Sequence, residues 1–235
     1  MVGRYRFGAI PWQSGTVSAP SGSAGKAYFV RPDNDSDNDP TGPGLLLLHS
    51  WWGLTESVKA EANAWADAGF VVLVPDLLDG KLPETSAEAE VELADTDPNS
   101  TAALLLSSVV TLRSQTDDPA GPVSVLGYSM GASWALWLAT RQPDSVRAVV
   151  AYYGTQDIAF DDLVAPVLLH LAEHDDLVSS DDAAFMEAQL RLLDKSIEVV
   201  GHPGTRHWFA EPGVVDAYDE SATAAARERS MSFVR

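Results

Sequence analysis

Short apolar runs alternate with helix-patterned stretches along most of the chain, and no other feature constrains the fold as much. Lys26–Val30, Leu45–His49, Phe70–Val74, Val123–Gly127, Ala148–Tyr152, Val167–Leu171 and Ser196–Val200 read as strands. Several are apolar at every position rather than at every second one, as a parallel sheet with helices on both faces requires. Between them, Thr55–Ala68, Pro98–Arg113, Ser129–Arg141, Ser180–Asp194 and Glu220–Val234 read as helices. Val58, Ala62 and Trp65 share one helical face, and Asp181 and Asp182 put acid at a helix start, where the helix dipole favours it. Strands alternating with helices over 235 residues predict a doubly wound, mostly parallel α/β sheet. The length fits one domain over residues 1–235, with N-terminal strands and an acidic loop over 1–43 and the core over 44–235.

Composition removes several function classes. No apolar run, Phe70–Val74 among them, approaches the roughly 18 residues that cross a bilayer. The chain has no cysteine, which excludes disulfides, thiolate zinc sites and a cysteine nucleophile together. Thirty-four acidic side chains against 15 basic ones give a net charge of −19. A phosphate backbone or an anionic membrane surface is repelled by such a field, so neither nucleic acid nor membrane is an expected partner. Lysine occurs only as Lys26, Lys59, Lys81 and Lys195 while aspartate is plentiful, a balance that suits a salt-rich cytoplasm in which screening removes the self-repulsion. The opening MVGRYRFGAIPWQSG has no apolar stretch of the secretory kind, and the expected location is cytoplasmic.

One segment imitates a metal site. Asp33, Asp35, Asp37 and Asp39 alternate in a run ending at Pro43, but Asn38 and Gly44 stand where a calcium loop needs glycine and a bidentate glutamate. A solvated loop is the better reading. His170 and His174 lie on a strand and its exit, so they cannot share a helical face as paired zinc ligands do, and no metal is expected.

The sharpest chemical motif is Gly127-Tyr128-Ser129-Met130-Gly131, a G-x-S-x-G pattern between the buried strand VSVLG and the helix SMGASWALWLAT. A strand–turn–helix elbow strains the serine and needs small flanking residues so that strand and helix can approach. Serine is a weak nucleophile and requires a base oriented by a carboxylate. His207, in G-T-R-H-W-F between the last strand and the last helix, is the expected base, with His202 at the strand exit as the alternative. The acid belongs after the strand ending at Leu171. Asp175 is the first choice because Val178, three residues on, re-enters the core; Asp176 and Glu173 are the alternatives. An acyl-transfer site also needs backbone N–H groups aimed at the oxyanion. One comes from Met130, after the nucleophile, and another from the loop His49-Ser50-Trp51-Trp52-Gly53. Trp52, Tyr152, Tyr153, Trp208 and Phe209 are candidate pocket walls, although core packing explains such aromatics as well.

From about Gly44 to the C-terminus the sequence resembles the dienelactone hydrolase family of α/β-hydrolases. The segments that carry the resemblance are LLLLHSWWGLTESVKAEANAWADAGFVVLVPDLLDGK, VSVLGYSMGASWALWLA, AVVAYYG, PVLLHLAEHDDLVS and GTRHWFAEPG. It implies an α/β-hydrolase fold, oxyanion donors at the amides of Trp51 and Met130, and Ser129, Asp175 and His207 as the triad. Three departures accompany it. The family's elbow commonly carries cysteine, and here it is Ser129. Its loop commonly reads H-E-x-x-G, with a glutamate that partners the thiol, and Ser50 stands there. Members that process dienelactone hold the substrate carboxylate with arginines, one of them four residues after the histidine, where this chain has Glu211; Lys81 to Leu112 supplies no other. Only Tyr153 to Pro166 separates two strands where lipase-like relatives insert a lid, so no lid domain is expected.

The sequence therefore predicts a serine hydrolase of small to medium carboxylic esters or lactones, aromatic ones included, needing no cofactor and acting as a monomer or weak homo-oligomer. A thioesterase or small peptidase on the same scaffold, or a binding module that retains the triad, are the alternatives.

Overall fold

A computed structural model describes residues 27–32 and 42–235. The start of the first strand at Lys26 and the acidic run Asp33–Asp39 lie outside the described residues. The chain forms two compact units, one running up to Val123 and the other from Ser124 to Arg235.

In the first unit, β1 (Ala27–Val30), β2 (Gly44–Leu48) and β3 (Val71–Pro75) lie in the order β1-β3-β2. β2 runs parallel to β3, with Leu45 opposite Val72, and β1 runs antiparallel to it, with Ala27 opposite Pro75. Every residue of β2 and β3 is buried, the signature of strands covered on both faces. Three helices belong here: α1 (Glu56–Asp67), α2 (Ser86–Asp95) and α3 (Pro98–Arg113). α3 starts where it does because the Asp97 carboxylate accepts from the amides of Asn99 and Ser100 while Pro98 takes the first helical position, where no N–H is needed.

The second unit holds β4 (Val123–Tyr128), α4 (Met130–Arg141), β5 (Val146–Tyr152), β6 (Val167–His174), α5 (Ser180–Leu192), β7 (Ile197–Arg206) and α6 (Glu220–Val234). Its strands follow in the order β4-β5-β6-β7. β5, β6 and β7 run parallel, with Val149 opposite Val167 and Val167 opposite Ile197. α4 is buried from Met130 through Thr140, so its Ala- and Trp-rich sequence is apolar all round rather than along one stripe. The connection from Tyr153 to Pro166 contains no helix.

Three elements differ from the sequence reading. Helix α2 is absent from the sequence reading, because only Ala89 on it is buried and the apolar stripe is too thin to register. β6 and β7 run past Leu171 and Val200 to His174 and Arg206, through residues that read as breakers. Pairing carries them on, Leu171 against Gly201 and Ala172 against His202, and an irregularity before His174 accommodates Pro203. His202 therefore lies inside β7 rather than at its exit. No helix among the described residues is long and apolar enough to cross a membrane.

Candidate active site

Ser129 joins β4 to α4 with φ 51° and ψ −112°, a left-handed backbone that a non-glycine residue adopts only under constraint. Its side chain does not cap α4, so it is not an ordinary helix-starting serine. Gly127 explains the sharpness of the turn. A Cβ there would sit 2.2 Å from the carbonyl oxygen of Gly131, so only glycine lets strand and helix approach this closely. The Ser129 amide donates to the carbonyl of Tyr152 at 2.9 Å, which ties the elbow to the end of β5.

The turn aims the hydroxyl at a histidine. Ser129 Oγ lies 2.8 Å from His207 Nε2, and His207 Nδ1 lies 2.7 Å from Asp175 Oδ2. All three side chains are buried. A carboxylate only accepts, so Nδ1 carries the proton and Nε2 presents its lone pair to the serine hydroxyl. The other carboxylate oxygen, Oδ1, accepts from the amides of Leu177 at 2.9 Å and Val178 at 2.7 Å, which fixes Asp175 at the first position beyond β6. The alternatives lie elsewhere. Asp176 is exposed, the Glu173 carboxylate accepts from the Gly204 amide at 2.6 Å, and His202 bonds to His170.

The proposed oxyanion donors occupy defined places, each in its own unit. Met130 opens α4, and the first amides of a helix have no intrahelical acceptor. Trp51 lies in a turn where the Gly53 amide donates to the Ser50 carbonyl at 3.2 Å and the Trp52 amide approaches the Ser50 hydroxyl at 3.4 Å. Buried His49 secures this turn. Its Nδ1 donates to the Ser50 carbonyl at 2.6 Å, and its Nε2 accepts from the Leu77 amide at 2.9 Å. Burial lowers the His49 pKa against the opposing pull of Ser50 and Asp76, which keeps the ring neutral and the pairing intact.

The candidate walls divide. Trp208, half-buried with φ 68°, meets the His207 ring edge-on at 4.7 Å. Trp52 is half-buried and packs edge-on against Trp51 at 5.7 Å. Tyr152 and Phe209 are core residues. The Tyr152 ring lies against Tyr128 and His170, and Phe209 is fully buried against Tyr153 and His202. Both had been candidate walls, and what the sequence could not convey is that the Tyr152 hydroxyl turns to Ser230 of α6, at 2.8 Å.

Tyr152 belongs to a buried polar chain that the sequence did not reveal. The Ser230 hydroxyl donates to the Ala226 carbonyl, so it accepts from Tyr152 and from His170 Nε2 at 3.0 Å; His170 Nδ1 then accepts from His202 Nε2 at 3.0 Å. Every position on His170 is filled in the neutral state. Burial first, then His202 and Arg229, lower its pKa to about 3. Among the described residues, no group of three or more His, Asp or Glu side chains is arranged to hold a metal ion.

A strained serine between a buried strand and a buried helix, in a largely parallel α/β architecture, defines the class as an α/β-hydrolase. The family model described as "Dienelactone hydrolase family" matches residues 26–235, and the chain belongs to that family of ester-bond hydrolases. Among curated relatives, Protein usf of Aquifex pyrophilus is 25% identical over 203 residues, covering 83% of this chain and 88% of that protein. The solved dienelactone hydrolase of Anabaena variabilis is 26% identical with a TM-score of 0.62, covering 93% of this chain and 96% of that one. A dienelactone hydrolase-like promiscuous phosphotriesterase from metagenomic libraries has a TM-score of 0.75 at 20% identity, over 89% of this chain and 97% of that one, a likeness of fold.

Proposed function

We propose that this chain, as one α/β-hydrolase domain, cleaves small to medium carboxylic esters or lactones through Ser129, His207 and Asp175. Ser129 Oγ attacks the carbonyl carbon and His207 Nε2 takes its proton. The Met130 amide receives the developing oxyanion, and family resemblance assigns the second donor to the Trp51 amide. The tetrahedral intermediate collapses as His207 returns the proton to the leaving oxygen, and the acyl group stays on Ser129. Water, deprotonated by the same nitrogen, then releases the acid and restores the serine. Asp175 holds the imidazole tautomer throughout. No cofactor enters this scheme.

The observation that carries the reading is the continuous run from Ser129 Oγ to His207 to Asp175, at 2.8 and 2.7 Å, with the carboxylate fixed by two backbone amides. Substrate charge follows from Glu211, four residues past His207 where dienelactone-processing relatives place arginine, so neutral esters and lactones are favoured over anionic ones. The helix-free connection 153–166 supports activity without a lid, and the cytoplasm remains the proposed location. The test is a panel of neutral and carboxylate-bearing aryl esters and lactones assayed with wild type and Ser129→Ala. Turnover of neutral substrates that disappears in Ser129→Ala is the expected result. Equal turnover by the variant would refute the mechanism, and a preference for anionic substrates would refute the specificity.

A further inference from the structure

The proposed chemistry leaves Tyr153 without a task and uses Glu211 only for the charge it sets against anionic substrates, yet both are buried beside the reacting groups. Tyr153 has φ 37°, a left-handed conformation that persists in a tyrosine only where its surroundings dictate it. Its amide donates to the His170 carbonyl at 2.7 Å. The flanking residues hold the nucleophile. The Tyr152 carbonyl accepts from the Ser129 amide, and a Cβ on Gly154 would come within 2.6 Å of the Ser129 carbonyl oxygen and 2.5 Å of the Ala132 Cβ. The turn at 152–154 is thus clamped on the elbow, and the strained backbone sends the Tyr153 side chain to the base. Its ring centroid lies 4.8 Å from that of His207, with the planes at 55°, and its hydroxyl donates to Glu211 Oε1 at 2.9 Å.

Two hydrogen bonds do not fix an imidazole completely. A ring tethered at Nε2 and Nδ1 can still rock about its own Cβ–Cγ bond, and rocking takes Nε2 off the serine. The groups facing His207 are Ser129 from the elbow, Asp175 from the loop after β6, Trp208 from its own loop and Tyr153 from the end of β5. Trp208 meets the ring at 87° and Tyr153 braces it from the β5 side, so the two together resist rocking. A brace works only if it is itself fixed, and the hydroxyl–carboxylate bond to Glu211 does this.

We propose that Tyr153, locked by its hydrogen bond to Glu211, is a positioning residue for His207 that keeps Nε2 aligned on Ser129 Oγ. The inference rests on the proposed hydrolase chemistry. Burial, and then the Glu211 carboxylate, push the Tyr153 phenol well above its usual pKa, so the hydroxyl stays a donor over any working pH.

The test compares full-length wild type with Tyr153→Phe, Glu211→Ala and Glu211→Gln on a neutral aryl ester, with folding checked by near-ultraviolet circular dichroism. Tyr153→Phe keeps the ring and removes only the lock. It should lower kcat by about 10- to 100-fold, the scale of a misaligned reacting group, with KM nearly unchanged. Glu211→Ala should match it. Glu211→Gln, whose amide oxygen still accepts from the hydroxyl, should recover most of the activity, which a purely electrostatic role would not allow. The low-field proton resonance of His207 Nδ1–H should be sharp in wild type and Glu211→Gln and broadened in the other two. Wild-type kcat in Tyr153→Phe, a change confined to KM, or Glu211→Gln as slow as Glu211→Ala overturns the proposal while leaving the hydrolase reading intact. If Tyr153→Phe does not fold, the two Glu211 variants decide the matter. A folded wild type that neither turns over esters nor reacts at Ser129 overturns both.

Discussion

Replacing Asp175 with asparagine isolates the orienting role of the carboxylate, because the side chain keeps its size and loses one acceptor. In the native site Oδ1 accepts from two backbone amides, Leu177 and Val178, while Oδ2 accepts from His207 Nδ1–H. An asparagine has one oxygen for these three donors. Turned toward the backbone, it satisfies two amides and presents its NH₂ to Nδ1, which must then carry the lone pair. The proton moves to Nε2, where it points at Ser129 Oγ, and the base can no longer take the serine's proton. Turned the other way, the NH₂ faces two N–H groups and leaves both unpaired, at about 1–3 kcal/mol each. The first arrangement wins by that margin, so nearly all molecules hold the wrong tautomer. Asp175→Asn should lower kcat by about 10⁴-fold, as expected for a triad in the wrong tautomer, with KM little changed. The assay is steady-state turnover of a neutral aryl ester by folded protein. A variant within about tenfold of wild type would refute the tautomer argument.

Three further outcomes follow from the same geometry. Gly127→Ala places a Cβ 2.2 Å from Gly131 O and 2.5 Å from Ala132 N, backbone atoms that cannot swing away, so thermal unfolding should show a loss of about 3 kcal/mol or more, and a Tm near wild type would contradict the elbow packing. Burial holds His170 at about 3 against an ordinary value of 6.5, and it also lowers His202 and His49. The unfolded chain thus binds more protons below about pH 6.5, and stability should fall as the pH drops, with His170 alone contributing up to about 1.4 kcal/mol per pH unit down to about 3. Urea midpoints should fall less steeply with acid in His170→Gln, and equal slopes would contradict the assignment. With a net charge of −19, molar salt should raise both stability and activity by screening self-repulsion, and no change between low and molar salt would remove the reading of a salt-rich cytoplasm.

Much of the fold was legible because its strands are continuous apolar runs and its helices carry cap signals. α3 and α6 have the boundaries read from the sequence, since Asp97-Pro98 and Asp219 mark their starts without ambiguity. The missed helix α2 carried a signal too: Thr85 caps the amide of Glu88, and the Glu88 carboxylate accepts from the amide of Glu84. The ends of β6 and β7 were illegible for a different reason. Gly201 and Pro203 break a strand by local preference, and only pairing with β6 keeps β7 going to Arg206. At the candidate site, the three hydrogen-bonded residues Ser129, Asp175 and His207 were legible as a proposed triad because each stands at a strand exit in the chain order that an elbow implies. Tyr153 and Glu211 could not be paired, since their hydrogen bond joins positions far apart in sequence. Tyr152 and Phe209 read as wall or core alike, because sequence does not say which way an aromatic at a strand end turns.

The central claim is that Ser129 is an activated nucleophile. Treating the folded protein with a small sulfonyl fluoride, at low and at molar salt, and mapping the adduct by mass spectrometry tests it without choosing a substrate. A single adduct on Ser129, absent from His207→Ala, is the predicted result. No adduct at either salt on demonstrably folded protein, or an adduct that persists in His207→Ala, would contradict it.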